Sequence, residues 1–141
     1  MTASTPSPGP RAVAEAFSGH RFAEAYDSLA PDVTWVLVGE GTVLGSDAVV
    51  QACEELTAEL EGSRVETLRS LTVGGEGAGG GTTAVAVDAV TAYTAGDGSR
   101  TVVSSCDVYE LEDGVVVRIT SYDVELEEGS DQAAQAAVDG S

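Results

Sequence analysis

Apolar residues follow two different periods along the chain. Apart from one β-rich run, positions up to about 62 carry them at three- and four-residue intervals; from Arg64 onward they alternate with polar residues. Pro10 suits the first turn of a helix in which Val13 and Phe17 share a face, and Gly19 ends it. Phe22, Tyr26 and Leu29 at i, i+4 and i+7 predict a second helix, stopped by Pro31. VTWVLV, bounded by GEG, predicts a strand. Ser46 then offers an N-cap, with Asp47 at the favourable end of the helix dipole. Val49, Cys53, Leu56 and Leu60 form the buried stripe of that helix, and Gly62 closes it.

The rest reads as strand. RVETLRSLTV is followed by GGEGAGGG, a flexible loop that is no phosphate cradle because it lacks a P-loop lysine and a following helix. TTAVAVDAVTAYTA, RTVVSSCDVYEL and VVVRITSYDVEL complete a meander joined at GDGS and EDG turns. Helices first and a long antiparallel sheet afterwards predict an α+β fold, with the helices packed on a strongly curved sheet that encloses a pocket. Residues 1–10 and 128–141 read as flexible tails and 11–127 as the domain, the last stretch being a frayed tail or a weak terminal helix.

Composition narrows the chemistry. At 141 residues the chain is one domain. No apolar run reaches the roughly 18–20 residues that cross a bilayer. MTASTPSPGP has neither a basic n-region nor an apolar h-region, so a cytoplasmic protein is expected. The formal charge of −18 comes from 24 acids against six arginines and no lysine. Such a surface repels nucleic acid and anionic membranes, and Schiff-base chemistry has no side chain to use. Cys53 and Cys106 match no zinc spacing and read as small buried hydrophobes. His20, the single histidine, follows Gly19 and reads as a loop residue, so Ser-His-Asp and Cys-His devices are set aside. Neither a metal nor another cofactor is called for.

FAEAYDSLAPDVTWVLVGEG, LGSDAVV and CDVYELEDGVVVRITSYD resemble the NTF2-like superfamily, in particular its SnoaL-like and limonene-epoxide-hydrolase-like cone folds. The resemblance runs from about Phe17 to Leu126 and implies the cone. It does not imply one chemistry, since these folds serve cyclases, isomerases, dehydratases, hydrolases and binders. The Tyr and Asn that activate water in the epoxide hydrolases fall on Trp35 and Leu37. The Arg and neighbouring Asp of their relay fall on Asp88 and Val90, and the last Asp falls on Ser121. SnoaL-type cyclases also place their catalytic Asp near Ser121. Ketosteroid isomerases have their base near Val36 or Leu37, and an acid on the strand that holds Asp107 here.

Asp107 and Asp123 interrupt the last two strands, and hairpin register decides whether they share a face. A three-residue Glu112-Asp113-Gly114 loop with a bulge at Gly114 pairs Leu111 with Val115. It collects Val103, Ser105, Asp107, Tyr109 and Leu111 with Val115, Val117, Ile119, Ser121 and Asp123. A two-residue loop would leave Glu110 opposite Val117 in an apolar strip, so the longer loop is preferred. A two-residue Asp97-Gly98 turn in the preceding hairpin sets Asp88 opposite Asp107. Arg69, on the same face as Val65, Leu71 and Val73, would then point inward with them. Two readings stand: a solvated or Arg69-paired ion cluster, or acids poised for proton transfer.

The functional expectation is a homodimeric cone that binds a small, largely apolar molecule. Any catalysis would be cofactor-independent acid–base chemistry such as isomerisation, cyclisation or dehydration. Asp107 would carry the proton, tuned by Asp88 or Asp123. Ser105, Ser121 and Tyr109 would donate hydrogen bonds; Trp35, Tyr26, Ile119 and Arg69 would contact the ligand. The rival is a non-catalytic interaction or dimerisation module that uses the outer sheet face, with Val102, Cys106, Val108, Val116, Tyr122 and Val124.

Overall fold

Val13, Ala14, Ala16 and Phe17 are buried on one side of helix α1 (Pro10–Ser18), with Pro10 in its first turn. The computed structural model describes residues 8–75 and 81–127. The expected tails lie mostly outside these residues, as does most of the GGEGAGGG loop. A 3₁₀ helix (Phe22–Ser28) follows α1, and helix α2 (Ser46–Glu59) comes later. The four strands expected after Arg64 are all present: β3 (Arg64–Gly74), β4 (Thr82–Thr94), β5 (Arg100–Glu112) and β6 (Val115–Leu126). With β1 (Leu29–Leu37) and β2 (Gly41–Leu44) they form one six-stranded sheet in the order β2-β1-β6-β5-β4-β3. Among the described residues, only the β1–β6 pair is parallel. The fold is thus the expected α+β cone, a curled and unclosed sheet with helices on its concave side.

Curling follows from strand length and bulges. Strands of 12 and 13 residues accumulate right-handed twist, and each ladder irregularity adds a local bend. Irregularities fall between Thr67 and Arg69 on β3, between Leu29 and Thr34 on β1, and between Glu110 and Leu111 on the β5–β6 ladder. Tyr109, Leu111, Val116 and Ile119 are fully buried in one core with Val33 of β1 and Val49 and Cys53 of α2. Burying each of the larger side chains contributes about 1.5–3 kcal/mol. Arg11 fastens α1 to the sheet from outside this core, donating to the carbonyls of Thr72 and Gly74.

Local details differ from the sequence reading in four places. The second helix is a 3₁₀ segment that ends at Ser28, and the chain is already strand at Leu29. Pro31 therefore lies inside β1, where the irregular stretch between Leu29 and Thr34 requires no ladder donor. The TVL stretch after Gly41 forms β2, a short hairpin partner that alternation over four residues is too brief to announce. Ser46 is the first helical residue and not the cap; that position is Gly45, at φ +90°, with no side-chain hydrogen bond.

The fourth correction concerns register. The β5–β6 hairpin closes through two residues, Asp113 at φ +52° and Gly114 at φ +82°, with Glu112 facing Val115. This is the left-handed pair of a type I′ turn. The bulge sits instead within β6, between Val116 and Arg118. Val116 consequently points into the core and Val115 is left partly exposed, the reverse of the expectation for both. Beyond the bulge the expected face is kept, with Asp107 opposite Ser121 and Ser105 opposite Asp123. The bulge restores the parity that the shorter turn removes.

Candidate functional site

Phe17 is the hub of the concave side. Its ring makes edge contacts with Phe22 at 5.1 Å, Trp35 at 5.2 Å and Tyr109 at 6.0 Å between centroids. These contacts bring α1, the 3₁₀ helix, β1 and β5 together around a cavity of about 210 Å³. Its wall includes Ser18, His20, Trp35, Leu37, Leu56 and Tyr93, together with Val103, Ser105, Asp107, Ser121 and Asp123 from β5 and β6.

Asp107 lies at the centre of a hydrogen-bond chain. Its Oδ2 accepts from Ser18 Oγ at 2.7 Å, and Ser18 Oγ lies 2.6 Å from the Tyr109 hydroxyl. A hydroxyl has one proton, so if Ser18 gives its own to the carboxylate, Tyr109 donates to Ser18. On the other side, the Trp35 indole N–H donates to Ser121 Oγ at 2.9 Å. Indole N–H only donates, which leaves the Ser121 proton for Asp107 across the ladder. The order of donors is therefore Trp35 to Ser121 to Asp107, and Tyr109 to Ser18 to Asp107.

Burial raises the Asp107 carboxyl above the ordinary aspartate value, opposed by the hydrogen bonds from Ser121 and Ser18 and by nearby His20. Burial also pushes the Tyr109 hydroxyl well above its usual range, with the Asp107 charge adding to the effect. Asp123 is displaced upward as well, by desolvation and then by the charges of Asp107 and Glu40. In an antiparallel ladder such diagonal neighbours lie roughly 7–8 Å apart. Asp107 is the deeper of the two, and Asp123 is exposed at the rim.

His20 stands across the cavity. The residue is indeed in a loop, directly after Gly19, but its φ of +66° turns the ring inward. Its Nε2 pairs with the Tyr93 hydroxyl at 3.1 Å, and the ring packs edge-on against Phe22 and Tyr93. Burial lowers the imidazole below its ordinary 6.5, opposed by the Asp107 carboxylate. Burial likewise raises the Tyr93 hydroxyl, with Asp123 and Asp107 adding to it. The exclusion of His20 from the centre of the fold is therefore corrected. Ser18, His20 and Tyr93 are the polar cavity residues that sequence reasoning missed, and Phe17, Phe22, Leu37 and Leu56 the apolar ones. The buried stripe of α1 was a usable signal, because it aims the end of that helix at the sheet.

The remaining expected site residues separate. Asp88 faces Cys106 in the ladder, not Asp107, because five residues from Ala95 to Ser99 connect β4 and β5. That odd-numbered loop shifts the register by one and sends Asp88 to the outer face. There it pairs with Arg69 at 3.0 Å, with both side chains well exposed. The irregularity after Thr67 likewise turns Arg69, Leu71 and Val73 outward. Ile119 is fully buried beneath the cavity, and Tyr109 joins the site through its hydroxyl. Tyr26 lines a neighbouring groove of about 630 Å³ between the 3₁₀ helix and α2, which shares His20 and Phe22 with the cavity. Among the described residues, no three His, Cys, Asp or Glu side chains are grouped so as to hold a metal. Nor is any described helix long and apolar enough to cross a membrane.

A model of the SnoaL-like domain matches residues 11–119. The chain belongs to the SnoaL-like family. Solved structures place this SnoaL-like chain among NTF2-like folds. An NTF2-like protein of unknown function from Cytophaga hutchinsonii is similar over 79% of this chain and 93% of its own, at 22% identity and a TM-score of 0.63. A LEH-like epoxide hydrolase from M. tuberculosis gives 19% identity over 89% of this chain and 80% of its own, with a TM-score of 0.54. A putative polyketide cyclase from Silicibacter gives 16% identity over 79% and 83%, with a TM-score of 0.57. At such identities these likenesses show the fold alone. A comparison with curated proteins finds no match.

Proposed function

We propose that this SnoaL-like protein binds a small, largely apolar molecule in its concave cavity and acts on it by cofactor-independent acid–base chemistry. The observation that carries this reading is Asp107, set among aromatic rings and held by Ser18 and Ser121. A carboxyl whose pKa is raised by burial is a stronger base than a solvated one, which suits it to exchange protons with carbon or oxygen. Asp107 takes the proton and returns it at a neighbouring atom. His20, neutral and backed by Tyr93, faces it as hydrogen-bonding partner for a substrate oxygen. Isomerisation, cyclisation and dehydration all need this pairing of a base with a polarising donor. The free thiols of Cys53 and Cys106 suit a reducing, cytoplasmic setting.

Deuterium exchange tests it. Small cyclic ketones incubated with the protein in D₂O should gain deuterium next to the carbonyl, and Asp107→Asn should abolish the gain. Exchange that is equal in the variant removes Asp107 from the chemistry and leaves a binding protein.

A second reading concerns assembly, and a specific surface favours it. Leu71, Val73, Tyr122 and Val124 are 50%, 52%, 50% and 61% exposed on the outer sheet face. The charged groups on that face pair within the chain, Arg69 with Asp88 and Arg118 with Glu110. A locally neutral, apolar face suits a second copy of this chain despite the high net charge. Sedimentation equilibrium should give a dimer that Val124→Glu dissociates; a monomer at all concentrations would contradict it.

A further inference from the structure

The cavity wall is uneven in charge. Among the described residues it contains Asp107 and Asp123 but no arginine, and its histidine is pressed toward the neutral form by burial. Glu40 adds a third negative charge near the rim. The Asp107 carboxylate spends acceptor capacity on two serines, while a carboxylate offers about four lone-pair sites. Among the described residues no hydrogen bond engages the Asp123 carboxylate. The apolar part of the wall is aromatic and aliphatic, with Phe17, Phe22, Trp35 and Tyr93 beside Leu37, Leu56 and Val103.

From this geometry, and resting on the reading that the cavity is the ligand site, we propose the substrate class. It is an apolar amine bound as its ammonium ion, with the charge between Asp107 and Asp123 and the body against the aromatic rings. Three features act in one direction. The two neighbouring carboxylates repel carboxylate and phosphate ligands and attract a cation. Aromatic faces in a partly desolvated site add a cation–π attraction. The net charge of −18 raises the local concentration of cations before they enter. A volume near 210 Å³ is below the 300–1,000 Å³ of most ligand pockets, which restricts the body to about one ring and a short chain.

Three probes with one aromatic body separate charge from shape: phenethylamine, phenethyl alcohol and phenylacetate, titrated at neutral pH and followed by NMR at the Trp35 indole N–H. The amine should bind at least tenfold more tightly than the alcohol, and the acid should leave the indole signal in place. Asp123→Asn should shrink the preference for the amine to a few-fold and leave the alcohol unchanged. Leu56→Trp, which fills the cavity from α2, should abolish the indole shift in a folded protein. Equal binding of amine and alcohol overturns the charge preference while the cavity reading stands. Amine shifts spread over the acidic surface without the indole overturn it too. No indole shift with any probe removes both the preference and the cavity as a ligand site.

Discussion

The Ser18 hydroxyl donates to Asp107 Oδ2 at 2.7 Å, tying the end of α1 to the middle of β5 across 89 positions. The same oxygen lies within hydrogen-bonding reach of the buried Tyr109 hydroxyl. Ser18→Ala should destabilise the protein by about 1–3 kcal/mol, because it strips a partner from a buried polar group. It should also move the Asp107 titration upward, since the Ser18 bond favours the ionised form. Chemical denaturation and a carboxyl-carbon NMR titration of the variant check the two effects.

His20 and Asp107 influence each other in opposite senses. The carboxylate raises the imidazole value against the lowering effect of burial. In the wild type the His20 midpoint should lie below 6.5, and Asp107→Asn should lower it further. An NMR titration of the ring protons reads this directly. A midpoint that rises in the variant would show that the two side chains are not coupled as described.

Stability should depend on pH through Asp107 in a direction opposite to that of a salt-bridged acid. Its folded value lies above the unfolded one, so between the two the folded state holds more protons and stability falls as pH rises. Below the unfolded value of 3.8 this slope vanishes. His20, depressed when folded, gives the reverse slope: stability falls as pH drops below 6.5 toward its folded value. Asp107→Asn should therefore flatten the fall in stability above pH 4 and leave the His20 limb visible. Urea denaturation at successive pH values measures both limbs.

Trp35 is the single tryptophan, and its indole lies in the cavity wall. Its fluorescence should report occupancy without any label. Trp35→Phe keeps an aromatic ring beside Phe17 but loses the bond to Ser121, and should cost about 1–3 kcal/mol. Thermal unfolding of this variant is the check.

Asp88 and Arg69 make an exposed pair on the outer face. Asp88→Asn and Arg69→Ala should each change stability by no more than about 1 kcal/mol. Neither should move the Asp107 titration. An upward or downward shift there would put the pair back in contact with the cavity.

The fold was legible because long amphipathic periods are hard to read in two ways. Thirteen-residue strands and a Pro10-to-Gly19 helix leave little choice of element, and the loop residues between them mark the ends. What alternation does not encode is where a ladder slips. The β4–β5 connection spends five residues where its Asp-Gly pair suggests two, and that odd difference slips the ladder by one position and moves Asp88 through the sheet. On β6 the slip falls inside a run of three valines, Val115, Val116 and Val117, whose side chains are indistinguishable in pattern. Asp107 and Asp123 were placed on one face because two errors of parity, in the turn and in the bulge, cancel. His20 was missed for another reason. Sequence shows a residue after a helix-ending glycine; only the left-handed backbone and the position of Tyr93 bring its ring into the cavity.

The most direct measurement is the titration of Asp107 itself, by carboxyl-carbon NMR on the full-length protein. An elevated midpoint, higher again in Ser18→Ala and accompanied by a response of the His20 ring, is the result predicted. An ordinary aspartate midpoint that is indifferent to Ser18 would mean that the carboxyl is solvated and that the cavity holds no poised acid.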